Sequence, residues 1–140
     1  MSIEIKIKKD NSKKIQKEVE QAIRKALVEI GEKCTDYAVD LAPHDTGLLR
    51  NSITYALDGE APVKGSYHAD EGNGSGTYSG TVPKESKNHC VYVGTNVEYA
   101  PYQEFGTVKM KEANPFIKPA VANHQDVYQR IFKDELSKIK

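Results

Sequence analysis

The chain has 140 residues, of which 38% are hydrophobic and 29% charged, with 20 basic and 20 acidic side chains. That balance describes one folded domain, residues 1–140, and excludes a chain drawn to nucleic acid or membrane by its overall charge. No stretch approaches the roughly 18 apolar residues that span a bilayer, and with no Trp the eight Tyr and three Phe must supply the aromatic contacts.

Ile3, Ile5 and Ile7 alternate with Glu4, Lys6 and Lys8, which predicts a half-buried strand. Asp10 or Asn11 can then cap a helix. Ile15, Val19, Ala22, Ile23, Ala26, Leu27, Ile30, Cys34, Tyr37, Ala38 and Leu41 recur at steps of three and four, one apolar stripe of a long helix. Gly31 interrupts the stripe, at about 1 kcal/mol relative to Ala, and is read as a bend or a close packing contact. Pro43 ends the helix, because the residue before a proline is pushed out of the helical region. Turn chemistry follows at Pro43–Gly47, and Leu48–Leu57 is predicted to contribute a strand around Ile53 and Tyr55. Residues 59–88 hold most of the glycines and few large aliphatics. This segment is predicted to be a flexible loop or hairpin insertion, with Tyr67 and Tyr78 as contact residues.

Cys90–Val93 is a strand closed by Gly94-Thr95-Asn96. Tyr99–Phe105 is predicted as a short helix with Tyr99, Tyr102 and Phe105 inward, stopped by Gly106. Pro119 near N1 opens a last helix with Ala120, Val121, Val127, Tyr128, Ile131, Phe132 and Leu136 as its stripe. The order predicts an α+β fold, a long N-terminal and a C-terminal helix packed on one face of a small antiparallel sheet.

Several constellations could carry chemistry. Asp45-Thr46-Gly47 is the tripeptide of aspartic proteases, whose two carboxylates share one proton. Here it follows a helix end rather than an apolar strand, so a local turn explains it better than an acid hydrolase built on Asp45. His44, His68, His89 and His124, with Cys34 and Cys90, show no metal-ligand spacing; adjacent His89-Cys90 would point to opposite faces of a strand. Both cysteines sit among apolar neighbours and are read as reduced thiols. No phosphate-cradling glycine loop or nucleophile elbow is present, so no cofactor is implied. Lys6, Lys8, Lys9, Lys13, Lys14 and Lys17 crowd the N-terminal segment, either a solvated face or a phosphate-facing patch of a nucleic-acid-binding module. Arg50 and Glu104, each just beyond a turn, could pair with each other or across a subunit boundary. The N-terminus carries no charged region ahead of an apolar run, which places synthesis in a cytoplasm.

Three blocks carry a resemblance. They are Ala42-Pro43-His44-Asp45-Thr46-Gly47-Leu48-Leu49-Arg50-Asn51-Ser52-Ile53, then Val91-Tyr92-Val93-Gly94-Thr95 with Tyr99-Ala100-Pro101-Tyr102-Gln103-Glu104-Phe105-Gly106-Thr107, and Asn114-Pro115-Phe116-Ile117-Lys118-Pro119-Ala120. In this order they resemble the tail-component family of Hong Kong-type siphophages, which is similar to minor tail and tail-completion proteins. The resemblance implies a non-enzymatic structural protein of the virion, made in the host bacterial cytoplasm. It implies tail completion or head–tail joining, with other connector or tail proteins and a homo-oligomeric ring as partners. It implies no membrane, and DNA contact only in the assembled channel. Each block also has a structural reading: Gly47, Gly94 and Gly106 relieve crowded backbone, Phe105 and Phe116 plug the core, and Pro115 and Pro119 fix the approach to the last helix. Arg50, Tyr99 and Glu104 are then the candidates for an interface, and residues 59–88 are expected to order against a neighbour.

Overall fold

A 30-residue helix, α1 (Ser12–Leu41), is the spine of the computed structural model, which describes residues 12–44, 47–84, 89–109 and 112–139. The strand expected at Ile3–Ile7 and its cap at Asp10 or Asn11 lie outside the described residues, as do Lys6, Lys8 and Lys9. Small residues form the most deeply buried line of α1: Ala22, Ala26, Gly31, Cys34 and Ala38. The two ends of the predicted stripe, Ile15 and Leu41, are exposed. The reason is that α1 has neighbours on two sides, and small side chains let those backbones approach.

On one side lies a two-stranded antiparallel sheet of β1 (Thr54–Leu57) and β4 (Val91–Gly94), with Tyr55 opposite Val93 and Leu57 opposite Val91. Alternation along the strands turns Tyr55 and Val91 toward α1. Gly31 is where they meet it: a Cβ there would stand 2.6 Å from Tyr55 Cδ2 and 2.9 Å from Val91 Cγ2. The glycine is thus a close packing contact and marks no break in the helix. Tyr55 also donates its hydroxyl to Glu32 at 3.1 Å.

Leu48–Leu57 is only half strand. Gly47 takes φ +87° and opens a one-turn helix, α2 (Leu48–Ser52), before β1 begins. The expected strand fails there because Leu49, Ser52 and Ile53, spaced three and four apart, are all buried by the helical turn. Within residues 59–84 the chain forms a hairpin of β2 (Ser66–His68) and β3 (Ser75–Thr77). Tyr67 and Tyr78 point inward instead of serving as contact residues. Their rings meet edge to face at 5.4 Å, and the Tyr67 hydroxyl donates to Asn96 Oδ1 at 2.6 Å.

The C-terminal region divides into α4 (Ile117–Ala122) and α5 (Gln125–Ser137), where a single helix was expected. The break lies at Asn123-His124, and the His124 ring stacks on Tyr37 of α1 at 3.5 Å. Pro119 is the third residue of α4, still in the first turn, where its missing N–H costs nothing. α5 packs along α1, and the architecture is α+β. Cys34 is buried beside Tyr128, and burial pushes its thiol pKa up; Cys90 is half-buried, and neither cysteine is in a disulfide. Among the described residues no helix is long and apolar enough to cross a membrane.

The Gly31 contact makes a stability prediction. Gly31→Ala gains helix propensity of about 1 kcal/mol, but overpacking against a buried Tyr ring typically costs about 1–3 kcal/mol. Urea denaturation is expected to show a net loss for Gly31→Ala and a larger one for Gly31→Val. Coupling to Tyr55→Leu in a double-mutant cycle should be well above the error of the measurement.

Candidate functional site

The three sequence blocks, far apart in the chain, converge around α3 (Ala100–Phe105). The end of β4 is tied first. Ser52, fully buried, donates its hydroxyl to Leu49 O at 2.6 Å, and its oxygen lies 2.5 Å from Thr95 Oγ1. Thr95 in turn accepts the Val97 N–H at 3.1 Å. With one proton per hydroxyl, a single order satisfies the chain: Val97 to Thr95, Thr95 to Ser52, Ser52 to Leu49. This run joins α2 to the loop that leads into α3. Val97 and Ala100 then enter the core with Leu49, Phe116 and Ala120. Pro101, at the second helical position, replaces an amide that has no partner in the helix.

Glu104 fixes the rotation of α3. Its Oε2 accepts the N–H groups of Phe116 at 2.7 Å and Ile117 at 3.0 Å, and its Oε1 accepts that of Lys118 at 2.8 Å. The next residue, Pro119, has no N–H, so the carboxylate takes up the free amides that open α4. Burial alone would push the Glu104 carboxyl pKa up. The bonds from Ile117, Lys118 and Phe116 outweigh it, with help from the Lys118 charge, and hold the group below the ordinary carboxylate range. Gly106, at φ +83°, ends α3 by donating its N–H to Tyr102 O at 2.8 Å.

Ala100 and Glu104, four residues apart, therefore form the inner face. The aromatic residues face out, against the expectation that they point inward: Tyr99 is 38% exposed, Tyr102 58% and Phe105 81%. Phe105 is no core plug, whereas Phe116, at 1% exposure, is one. Val108 just beyond is fully exposed. Two apolar clefts flank the helix. One, of about 510 Å³, lies between α2 and α3 and is lined by Pro43, Leu48, Leu49, Tyr99, Tyr102 and Thr107. The other, of about 620 Å³, is lined by Val97, Pro101, Phe105, Phe116 and Ile117 among others.

The remaining sequence candidates separate by role. Arg50 and Glu104 do not pair with each other; Arg50 donates its Nε–H to Ala42 O at 3.0 Å and so ties α2 to the end of α1. Gly47 and Gly106 do take the positive φ that favours glycine, but Gly94 does not, and a Cβ there would meet open space. Thr107 and Pro115 are exposed, and Pro119 is half-buried. Asp45 and Thr46 lie outside the described residues. Sequence reasoning missed Tyr102 and Val108 as surface residues. A usable signal was present: the Ala100–Glu104 spacing of four competes with the three-residue spacing of Tyr99, Tyr102 and Phe105, and a helix of six residues buries one face only.

Among the described residues no group of three His, Cys, Asp or Glu is placed to hold a metal ion. What the α3 face offers is exposed aromatic and aliphatic side chains beside two clefts. The carboxylate that orients it gives a pH signature. Because the Glu104 pKa is lowered in the fold, its contribution is present above the ordinary carboxylate value and is lost as pH falls through the lower, folded value. Glu104→Gln is expected to lower stability by about 1–2 kcal/mol at neutral pH. In acid titrations followed by thermal unfolding, that gap should shrink below about pH 4.

No curated protein and no solved structure matches the chain at a significant level. The family model described as "Bacteriophage HK97-gp10, putative tail-component" matches residues 6–106, which takes in the first block, the second up to Gly106 and the whole of α3, but stops short of Thr107 and of the third block. With most of its length matched, from the start of the long helix to the glycine that closes α3, the chain belongs to this family of phage tail components.

Proposed function

We propose that the protein is a non-enzymatic structural component of the virion that completes the tail or joins it to the head, acting through ring-type assembly. Family membership supports a phage structural role. The observation that carries the finer reading is the outward α3 face, where Tyr102, Phe105 and Val108 are exposed on a helix held in place by Glu104. A protein that works alone gains nothing from displaying such a face, while a subunit buries it on assembly. Partners are other copies of the chain and neighbouring connector or tail proteins. In the same reading the exposed hairpin tip, Glu71–Asn73, is a second point of contact within residues 59–88.

A nucleic-acid role keeps one supporting observation. Lys13, Lys14 and Lys17 are all exposed on the first turns of α1. In an assembled ring they could line the DNA path, and steep salt dependence of binding to random duplex is the measurement that would favour this role.

The decisive experiment is deletion of the gene in an inducible phage, with the lysate imaged by negative-stain electron microscopy. Filled heads beside separate, finished tails are expected for a joining role, and overlong or unfinished tails for a completion role. Intact infectious particles would remove the structural assignment.

A further inference from the structure

We infer that α3 is the contact between copies of this chain, the ridge of Phe105 and Val108 on one copy entering the α2–α3 cleft of the next. The inference rests on the assembly reading above and adds which surfaces meet and in what sense.

Three observations select a second copy as the occupant. Ridge and socket are both present on one chain, side by side at the end of α3, where socket-lining Thr107 stands between Phe105 and Val108. The ridge is Phe105, 81% exposed, with fully exposed Val108. The socket is the cleft of about 510 Å³ walled by Pro43, Leu48, Tyr99 and Tyr102. Exchanged reciprocally between two copies, such a contact gives an isologous dimer; repeated in one sense, as the assembly reading above requires, it closes into a ring or runs on as a filament.

Charge is complementary in the same sense. Lys109 follows Val108 on the ridge and is exposed. At the mouth of the socket stands Asp70, whose side chain is 60% exposed. A Cβ on cleft-lining Gly47 would lie 2.5 Å from its Oδ2, and exposed Glu71 follows it in the chain. Ridge meeting ridge would set Lys109 against Lys109 and leave both sockets empty. Ridge entering socket sets Lys109 beside Asp70.

Exposed area lies on both sides of the contact. Phe105 and Val108 offer nearly whole side chains on the ridge, and Tyr102 with part of Tyr99 offers the socket side, so the contact contributes a part of the roughly 800 Å² per partner of stable interfaces.

The test is sedimentation of the full chain from micromolar to millimolar concentration, with four variants. Wild type is expected to associate beyond the dimer. Phe105→Asp, which removes the ridge, and Tyr102→Asp, which fills the socket with charge, should each weaken association by about thirtyfold or more. Thermal unfolding should be unchanged in both, since both side chains are largely exposed. Mixed together, the two variants should form one-to-one heterodimers and stop, because the mixture retains one good ridge and one good socket per pair. Lys109→Glu should weaken association about two- to fivefold, and adding Asp70→Lys should restore it.

A wild-type protein that is monomeric at millimolar concentration, or that stops at dimers, overturns the inference. So does a Phe105→Asp variant that assembles normally, or a variant mixture that stays monomeric. The assembly reading fails separately: a phage carrying Phe105→Asp that loses self-association yet remains infectious would refute that reading while leaving the contact in place.

Discussion

The grip of the Glu104 carboxylate on the opening amides of α4 sets the orientation of everything around the α3 face. Three N–H groups converge on one side chain at 2.7–3.0 Å, and charge-assisted bonds of this kind are about twice as strong as neutral ones. The bonds satisfy a helix start that has no side-chain cap of its own. They also lock the rotation of a helix too short to hold itself, since six residues make fewer than two turns. Once Glu104 points in, Tyr102 and Phe105 must point out. An energetic requirement of α4 thereby decides which surface α3 displays.

A second constraint determines where that surface sits. α1 is flanked by the β1–β4 sheet and by α5, and the small residues along its buried line let both approach. At Gly31 there is no room even for a methyl group against Tyr55. Further along the same helix and just past its end, Cys34, Ala38 and Ala42 carry the cluster that receives Leu49, Val97, Ala100 and Phe116. The core that anchors α3 is thus a continuation of the seam that anchors the sheet. The Ser52–Thr95 hydroxyl pair links the two, tying the turn after α2 to the end of β4. Motif residues that look unrelated in the chain prove to be the parts of one support, with Arg50 holding α2 to the end of α1 and Glu104 holding α3 to α4.

This division of labour lets one motif set serve the fold and, in the role proposed above, assembly. Leu49, Ser52, Ala100, Phe116 and Glu104 build the platform. Tyr99, Phe105 and Thr107, from the same blocks, are presented by it. A rigid platform lowers the ordering cost of association, because the contact residues need not be fixed at the moment of binding. The chain belongs to a family of phage tail components, and the assembly proposed for it would use such a preformed apolar face.

The sequence alone determined the features that depend on local periodicity and backbone chemistry. The long helix through Leu41, its end before Pro43, the Val91–Gly94 strand, the short helix stopped at Gly106 and the α+β class all follow from spacing and from Pro and Gly positions. The three blocks were legible too, and with them the family. What only the tertiary structure decided was direction. Hydrophobicity assigned Tyr99, Tyr102 and Phe105 to the core, and it could not register that Glu104 had a buried helix start to satisfy twelve residues or more away. In the sequence Arg50 and Glu104 read either as surface charges or as partners for each other or for a neighbouring subunit, whereas each has a backbone partner that folding alone brings within reach. The break between α4 and α5 has no Pro or Gly to announce it, and falls where His124 meets Tyr37 across the helix pair. Periodicity reports which residues share a face. Which face turns inward is settled by the polar groups that must be satisfied there, and those partners are distant in the chain.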